Sequence, residues 1–440
     1  MDPTTLARVQ FAMTVMFHFL FPAITVGLGL VVAILETLRW RTRDPLWDRT
    51  ALFWTRIFGL TFLMGVATGI VMEFQFGTNW ARYSAFVGDV FGAPLAAEGV
   101  FAFFLESTFL GVLLFGRSIV SSTVRWLAAV LVALGSTLSA FWIIVADSWM
   151  QTPAGYVVEG GHARLTDFWT AVLNLSTLTR FSHTVVSTWV MGAFLVLGVS
   201  SFYLLSRRHR DVALASIRVA LVVAFVGTLL IFVTGDRGAR QVAVTQEAKF
   251  AAMQGVYTTT VGAPLVIWSL PPTQDPADAV QAPEIVVTRL LSFLAFGNVT
   301  AAVRGLSEFP LADWPPVALT FLAYHNMVAI GTLLLVEMLA AALLVWRGTL
   351  ESHRTWLRIL MWSTPLPMIA IQLGWMTAEV GRQPWLVYGV FRTQDGVSDN
   401  VATFDLALSL ALFAAAYLVI AWLWIRLFVG EVRRGPAVAA

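Results

Sequence analysis

Several side chains that can bind a metal or carry protons lie inside long apolar stretches of this 440-residue sequence. Three histidines and one methionine could ligate iron, namely His18, His183, His325 and Met327. The sequence contains no cysteine, which excludes disulfides, thiolate ligation of haem and covalent attachment of haem c. Any single histidine could simply hydrogen-bond a neighbouring helix, but several together favour haem binding.

The ligand pair of one candidate haem site is left open by the spacing. A histidine with a methionine, or two histidines, from different helices would make a six-coordinate, low-spin iron suited to electron transfer. His325 and Met327 are two residues apart, about 200° around a helix, so only one of them can face the same iron. His183 with Met327 and His183 with His325 are both compatible with the sequence.

Acidic residues within apolar stretches form a second group. A charged side chain at bilayer depth costs about 2.5 to 3.5 kcal/mol on insertion scales, so each one needs a partner or a function. Glu98 and Glu106 are eight residues apart, about 80° around a helix, and Ser107 adjoins the second glutamate. We expect the two glutamates to line one interior face as a proton relay. The alternative is a pair of protonated, hydrogen-bonded structural acids.

Glu379 and Arg382 are three residues apart at the end of another apolar stretch, close enough to form an ion pair on one helix face. This pair could be structural, or the carboxylate could ligate a high-spin haem iron while the arginine holds a haem propionate. Lys249 is the only lysine among 28 basic residues. Chemistry that needs a primary amine side chain therefore has a single candidate.

Membrane-spanning helices must position these residues. With 58% hydrophobic and only 12% charged residues, the composition excludes an ordinary soluble domain. Apolar runs long enough to cross a membrane predict an all-α polytopic bundle of about nine transmembrane helices. We place the helices near residues 9–38, 52–72, 94–116, 124–146, 183–205, 214–234, 318–346, 356–377 and 404–428.

Arginines are concentrated after the first, third, fifth and seventh predicted helices and in the C-terminal tail. Because short arginine-rich loops stay in the cytoplasm, this distribution predicts a periplasmic N-terminus and a cytoplasmic C-terminus. Helices one to six then occupy 1–234, a periplasmic loop occupies 235–317, and helices seven to nine with a cytoplasmic tail occupy 318–440. A connection of roughly 80 residues is typical of a functional loop.

Four segments are specific enough to indicate a family. They are Gln10 to Leu20, Gly65 to Trp80, Phe104 to Phe109 and, above all, Gly381-Arg382-Gln383-Pro384-Trp385. With these motifs the sequence resembles subunit I of the cytochrome bd ubiquinol or menaquinol oxidases, including the cyanide-insensitive branch. The likeness runs through the whole chain apart from the loop at 235–317, which resembles the short type of quinol-binding loop.

The resemblance implies an electrogenic quinol:oxygen oxidoreductase of the bacterial cytoplasmic (inner) membrane, which oxidises quinol at the periplasmic side and reduces O2 to water with cytoplasmic protons. It also implies three haems, namely a low-spin haem b, a high-spin haem b and a haem d. His183 and Met327 match the ligands of the low-spin haem. His18 and Glu379 match the ligands of the two high-spin haems, and which of them binds haem d is left open.

Further roles and partners follow from the same resemblance. Glu98 matches the glutamate at the oxygen-reducing haem pair, and Arg382 matches the arginine beside the haems. Glu106 with Ser107 matches the proton path from the cytoplasm. The implied protein partners are subunit II, which completes a membrane heterodimer, and possible small accessory subunits. No nucleic acid is expected as a partner.

Two departures from the family pattern bear on the electron-donor half of the reaction. Lys249 matches a quinol-site lysine, but the glutamate expected five residues later is Gln254, and an amide cannot accept a quinol proton. Either Glu247 takes that role or the donor differs. The residue two before the methionine ligand is usually arginine, whereas here it is His325, which could hydrogen-bond a propionate or tune the low-spin haem.

Two other functions compete with this interpretation. A member of the family could keep the haems and take electrons from a donor other than quinol, which Gln254 motivates. A haem-free proton or ion transporter could use histidines and glutamates as relay groups. The sequence lacks the paired helices broken by glycine or proline that such transporters use, which argues against the second alternative.

Overall fold

The computed structural model describes residues 2–275, 284–399 and 401–436. Within this part of the chain, nine helical spans are long and apolar enough to cross a membrane, which confirms the predicted all-α polytopic bundle. The helices are α1 (Pro3–Thr42), α2 (Pro45–Thr78), α3 (Ala81–Ala97), α4 (Phe104–Phe115), α5 (Ser122–Gln151), α6 (Phe168–Val172), α7 (Thr177–Leu205), α8 (Arg210–Thr245), α9 (Glu247–Gln254), α10 (Leu290–Phe296), α11 (Val317–Trp346), α12 (Arg354–Trp362), α13 (Leu366–Val380), α14 (Thr393–Gly396) and α15 (Thr403–Arg434).

Local sequence signals begin the first two helices. The side chains of Asp2 and Asp44 accept hydrogen bonds from backbone N–H groups of the first turn, and a proline follows each aspartate at the start of the helix. Helix α1 ends at Thr42, and the next residue, Arg43, adopts the left-handed conformation and turns the chain into α2. The arginine-rich connection is therefore as short as two residues.

A π-helical segment, Glu98–Phe103, joins α3 to α4 within a single span. The predicted third helix began at residue 94, whereas α3 begins at Ala81. The earlier turns contain Asp89 and two glycines, which lower the local hydropathy without breaking the helix. Single turns of π-helix are often found at functional sites, and Glu98 is the first residue of this one.

The structure corrects the predicted boundary at 234/235. Helix α8 continues to Thr245, because polar residues appear where the helix leaves the apolar layer and not where it ends. An ion pair of Asp236 with Arg240 (2.7 Å), one turn apart, supports these last turns. The other boundary agrees with the start of α11 at Val317. Residues 276–283 of the predicted loop lie outside the described part of the chain.

The described strands form four two-stranded antiparallel pairs, all on connections between the long helices. The pairs are β1 (Tyr156–Glu159) with β2 (His162–Leu165), β3 (Thr260–Val261) with β6 (Ala302–Val303), β4 (Leu265–Ser269) with β5 (Glu284–Val287), and β7 (Trp385–Val387) with β8 (Phe391–Arg392). Three-residue 3₁₀ turns occur at Leu306–Glu308, Leu311–Asp313 and Leu350–Ser352. The connection between α8 and α11 is therefore folded.

The largest apolar core lies among α1, α2, α5, α7 and α8. Helices α1 and α7 cross in direct backbone contact at Gly27 and Gly192. A Cβ built on Gly27 would lie only 1.8 Å from the backbone oxygen of Thr188 on α7. Small residues are what allow membrane helices to approach so closely, since lipid gives no hydrophobic drive for their association.

Arginine-rich connections meet at one end of the bundle, which we call the arginine-rich end. Arg125 at the start of α5 binds Glu36 of α1 at 2.6 Å and Asp48 of α2 at 2.9 Å. Arg210 at the start of α8 binds Glu351, which follows α11, at 2.5 Å. Helix α9 and the strand pairs lie on connections at the opposite end, which we call the loop end.

Candidate functional site

Two predicted haem ligands, His18 on α1 and His183 on α7, have the same local surroundings. His18 Nδ1 lies 3.0 Å from Oγ1 of Thr68 on α2. His183 Nδ1 lies 3.0 Å from Oγ1 of Thr234 on α8. A glycine follows each threonine, and a Cβ built on it would lie 3.1 or 3.3 Å from the imidazole Cε1. A Thr-Gly pair on the neighbouring helix therefore fixes each ring.

The threonines determine which ring nitrogen carries the proton. Each threonine hydroxyl donates to a backbone carbonyl one turn earlier, at 2.9 Å in both helices. Its oxygen is then left to accept from Nδ1–H, which assigns the lone pair to Nε2. Neither Nε2 has a hydrogen-bond partner among the described residues. Metal-binding histidines are usually held this way, with one nitrogen bonded to a second residue and the other free for the metal.

Haem iron suits these isolated imidazoles better than a bare metal ion does. Among the described residues, no three histidine, aspartate or glutamate side chains are grouped as a bare ion would require. Iron held by the nitrogens of a porphyrin needs only one or two ligands from the protein. The donor chemistry of His18 and His183 therefore fits haem.

The structure separates the two candidates for the second ligand beside His183. His325 places Nδ1 3.0 Å from the carbonyl oxygen of Phe321 and Nε2 3.2 Å from that of Val266 in β4. Both of its ring nitrogens thus face backbone oxygens. The sulfur of Met327 instead faces α13, where a Cβ built on Gly374 would lie 3.1 Å from it. This geometry favours Met327 over His325 as an iron ligand.

The predicted relay glutamates both face α5. Glu98 accepts a hydrogen bond from Ser139 Oγ at 2.7 Å, and the buried Glu106 accepts one from Ser136 Oγ. Ser107 does not contribute to this contact, because its hydroxyl donates to the carbonyl of Phe103 in its own helix at 2.7 Å. The hydroxyl beside Glu106 therefore comes from α5 and not from the adjacent residue in sequence.

A cluster of charged residues surrounds Glu379 at the loop end. Glu379 pairs with Arg382 as predicted, and its other carboxylate oxygen accepts from Gln151 Nε2 at 2.8 Å. Asp147 binds Arg180 at 2.8 Å and lies 3.9 Å from Arg382. The buried Arg382 keeps its Nε and one terminal nitrogen without hydrogen-bond partners among the described residues. Unused buried guanidinium donors fit an anionic group such as a propionate.

Lys249 lies in this cluster and not on an exposed loop. Its Nζ donates to Ala378 O at 2.8 Å and to Gln151 Oε1 at 3.2 Å, and the residue is only 2% exposed. Burial, reinforced by the nearby Arg180, lowers the pKa of Lys249 well below its usual value. Gln151 therefore connects the predicted quinol-site lysine directly to the predicted haem ligand Glu379.

The two loop residues predicted to accompany Lys249 lie elsewhere. Glu247 forms an exposed ion pair with Arg304 at 2.5 Å. Gln254 is buried, and its Oε1 has no hydrogen-bond partner among the described residues, but five residues place it about 140° around α9 from Lys249. The carboxylates that do lie near Lys249 come from α5 and α13, as Asp147 and Glu379.

Helix α5 supplies a partner to both predicted relay glutamates and to the charged cluster at the loop end. Its residues Ser136, Ser139, Asp147 and Gln151 bind Glu106, Glu98, Arg180 and the Glu379–Lys249 pair in turn. We call them the α5 polar stripe. Their spacing puts them within an arc of about 120° on the helix, along about 22 Å. The stripe was not predicted from the sequence, although these four polar residues recur at helical spacing on the fourth predicted membrane helix and its continuation.

A further contact relates α13 to α1. Gln372 Nε2 donates to the carbonyl oxygen of Met16, two residues before His18, at 2.8 Å. Seven residues separate Gln372 from Glu379, so both lie on the same face of α13, about 10 Å apart. Helix α13, which carries Glu379, therefore packs against the turn of α1 that precedes His18.

The fold and these sites define a polytopic membrane protein with candidate haem ligands and carboxylates inside its bundle. The family model described as cytochrome bd terminal oxidase subunit I matches residues 6–436, and the chain belongs to that family. It is 36% identical over 444 residues to cytochrome bd ubiquinol oxidase subunit 1 of Bacillus subtilis (strain 168), covering 99% of this chain and 94% of the relative.

Two more comparisons extend over full length. The chain is 36% identical over 504 residues to cytochrome bd-II ubiquinol oxidase subunit 1 of Escherichia coli (strain K12), covering 99% of this chain and 97% of the relative. The solved bd oxidase from Geobacillus thermodenitrificans matches with a TM-score of 0.92 at 28% identity over 99% of both chains. The bundle described above is therefore the subunit I fold of this family.

Proposed function

We propose that this chain is the haem-bearing catalytic subunit of a cytochrome bd-type terminal oxidase, a quinol:oxygen oxidoreductase. The observation that carries the proposal is the paired arrangement of His18 and His183, each of which leaves Nε2 free within a chain of this family. A relay built only for protons would not need two imidazoles with the same unsatisfied nitrogen. This chemistry favours the oxidase over the haem-free transporter.

His183 and Met327 would hold a low-spin haem b, while His18 and Glu379 would hold a high-spin haem b and a haem d. When bound, these haems carry electrons from quinol to O2. Arg382 would orient an anionic edge of a haem through its unused guanidinium donors. Thr68 and Thr234 keep their imidazoles in the Nδ1–H form, so each Nε2 stays available.

Protons for oxygen reduction would enter from the arginine-rich end. Glu106 and Ser136 form the first buried pair along that route, and Glu98 with Ser139 forms the second, nearer to the loop end. Each serine hydroxyl bridges α5 to a carboxylate and can pass a proton through its oxygen. The α5 polar stripe thus positions the groups that would hold protons on the way to the oxygen-reducing haems.

Quinol would be oxidised at the loop end beside Lys249. Because the lowered pKa makes the neutral amine accessible, Lys249 can accept a hydrogen bond from a quinol hydroxyl. Asp147 supplies the nearby carboxylate that Gln254 cannot supply. This arrangement removes the need for a carboxylate at position 254 and so weakens the case for a donor other than quinol.

The arginine-rich end would face the cytoplasm, with the N-terminus and the loop end in the periplasm. Quinol protons would then leave on one side while oxygen reduction takes protons from the other, which separates charge across the bacterial cytoplasmic membrane. The functional unit would be a heterodimer with subunit II, with room for small accessory subunits on the exposed apolar faces of helices such as α15.

The test is a reduced-minus-oxidised absorption spectrum of the purified complex, followed by O2 uptake with ubiquinol and menaquinol analogues in parallel. We expect bands of haem b and haem d and O2 uptake with at least one quinol. A spectrum without haem d would overturn the proposed function. Normal haem bands with no quinol-dependent O2 uptake would instead favour another electron donor.

A further inference from the structure

One carboxylate deep in the bundle belongs to none of the groups above. Glu337 on α11 is only 5% exposed, and its Oε1 accepts a hydrogen bond from Ser363 Oγ, after α12, at 2.9 Å. Its Oε2 is buried and has no hydrogen-bond partner among the described residues. A carboxylate at membrane depth is costly, and one that keeps an unsatisfied oxygen points to a function.

Within the described part of the chain, no charged group compensates Glu337. Helices α8, α9 and α13 and the 3₁₀ turn Leu350–Ser352 pack against α11, and none of their charged or titratable side chains, including Glu351, is recorded in contact with Glu337. Arg218 of α8 is exposed, while Lys249 of α9 and Glu379 of α13 lie at the loop end. The charge of Glu337 therefore depends on its own proton and not on an ion pair.

The serine that holds Glu337 adjoins an open cleft at the arginine-rich end. This cleft of about 310 Å³ lies between the end of α7 and α12, and Arg354, Arg358, Met361 and Trp362 contribute to its walls. Ser363 directly follows Trp362 in the chain. The serine bonded to Glu337 is therefore the next residue in the chain after one that lines the cleft.

Glu337 shares its helix with the proposed haem ligand Met327. Ten residues separate the two, which is about 15 Å along a helix, and the residues between them are all uncharged. Charges interact strongly across such an apolar segment, because its effective dielectric constant is far below that of water. An electron added to the haem that Met327 would hold would therefore favour a proton on Glu337.

We propose that Glu337 is a proton-binding site, which takes up one proton from the arginine-rich side when the haem held through Met327 is reduced. The inference rests on the proposed function. The electron would come from the quinol oxidised at the loop end, and an O–H bond would form between the carboxylate of Glu337 and a proton taken up from solvent at the arginine-rich end. Reoxidation reverses both changes, so charge is balanced without any further reactant.

The test measures the midpoint potential of the low-spin haem across a range of pH in the purified complex. With Glu337 titrating, the potential falls as the pH rises, and this slope disappears in Glu337→Gln. The matched control is Glu351→Gln, which removes an exposed, ion-paired carboxylate at the same end and should keep the slope. An unchanged slope in Glu337→Gln would overturn the inference.

Redox-difference infrared spectra provide a second readout that does not depend on turnover. The wild type should show the carbonyl stretch of a protonated acid on reduction, and Glu337→Gln should lack that band. If Glu337→Gln yields no folded complex, Ser363→Ala can replace it, because it keeps the acid. Ser363→Ala should shift the pH range over which the midpoint potential changes, and an identical range would contradict the inference.

The two hypotheses fail in different ways. Absence of a low-spin haem from the wild type would refute the proposed function, whereas a normal haem with no pH response at Glu337 refutes only this inference.

Discussion

At the scale of single residues, the candidates for the second low-spin ligand differ in what each already binds. Both nitrogens of His325 face carbonyl oxygens, whereas the sulfur of Met327 faces Gly374 of α13. We expect Met327→Leu to convert the low-spin haem to high spin, because a leucine cannot ligate iron. Electron paramagnetic resonance and the visible spectrum of the reduced complex would measure this change.

His325→Ala is the matched control for that experiment. It should leave the low-spin signal in place and at most alter the contact between α11 and β4. If His325→Ala abolishes the low-spin signal and Met327→Leu does not, the pair is His183 with His325.

Lys249 leads to a prediction about pH. Since burial and Arg180 lower the pKa of Lys249, its amine loses a proton at a lower pH than an exposed lysine does. Quinol oxidation should therefore rise with pH through that lowered pKa, and Lys249→Ala should flatten the rise and reduce quinol-dependent O2 uptake by about tenfold or more. Haem content should be unchanged.

Glu247→Ala serves as the control, because Glu247 pairs with Arg304 on the exposed side of α9. It should retain the rate and the pH profile of the wild type. Equal loss in both variants would mean that α9 is merely destabilised and that Lys249 has no special part in quinol oxidation.

Residue types alone indicated the proposed haem ligands but not the residues that hold them in place. His18 and His183 were evident because a histidine within an apolar stretch is rare. Thr68 and Thr234 were not, since a threonine in a membrane helix usually bonds only its own backbone. Lys249 was identified from its uniqueness, but its position beside Gln151 depends on how α9 folds against α5 and α13, which the spacing of residues does not specify.

At the scale of elements, substitutions at the contact between α4 and α5 should affect the proposed proton route without removing the proposed haem sites. We expect Glu106→Leu to slow O2 reduction, and Ser136→Ala to slow it less, because the serine positions the carboxylate that holds the proton. The magnitude expected for a lost proton-transfer group is about 10²-fold or more. Single-turnover O2 reduction with spectroscopic haem quantification would measure both effects.

Ser107→Ala is the control here, since its hydroxyl bonds its own helix. It should turn over like the wild type. Full turnover in Glu106→Leu would remove Glu106 from the relay, whatever its hydrogen bond to α5.

The crossing of α1 and α7 gives a prediction about stability. Gly27→Ala would force a methyl group into the backbone of α7, so we expect a loss of about 1 to 3 kcal/mol in stability, typical of overpacking, or more if the helices must separate. Gly331→Ala on α11 meets no atom within 4 Å and should be neutral. Thermal unfolding of the detergent-solubilised complex compares the two, and equal melting temperatures would show that the crossing tolerates a side chain.

The number and order of the spans could be predicted from the sequence, because hydropathy over about 20 residues is set by composition alone. Their ends could not. Helix α8 extends past its apolar segment, and α3 begins before one, since backbone hydrogen bonding continues wherever no residue stops it. The fold of the connection between α8 and α11 depends on contacts between distant segments, such as β3 with β6, which local patterns do not reveal.

At the scale of the whole molecule, the lack of cysteine provides a direct test of orientation. A single cysteine at Ser352 would lie at the arginine-rich end, and one at Val158 would lie at the loop end, both exposed. We expect a membrane-impermeant maleimide to label Val158→Cys in intact spheroplasts and Ser352→Cys only after the membrane is opened. The reverse pattern would invert the proposed orientation and, with it, the direction of charge separation.

The contact between α1 and α7 also has a consequence for how the protein is made. In the most apolar window of α1, 67% of the residues are buried inside the protein, whereas in that of α15 only 11% are buried. Among the nine described spans, α1 leaves the ribosome before the others. Gly27 of α1 cannot contact Gly192 of α7 until four more spans, the last of which is α7, have entered the bilayer. During biogenesis α1, which contains His18, must therefore reside in the lipid for a time before α7 packs against it. The insertion machinery has to tolerate this early segment before the bundle can close and haem can be loaded.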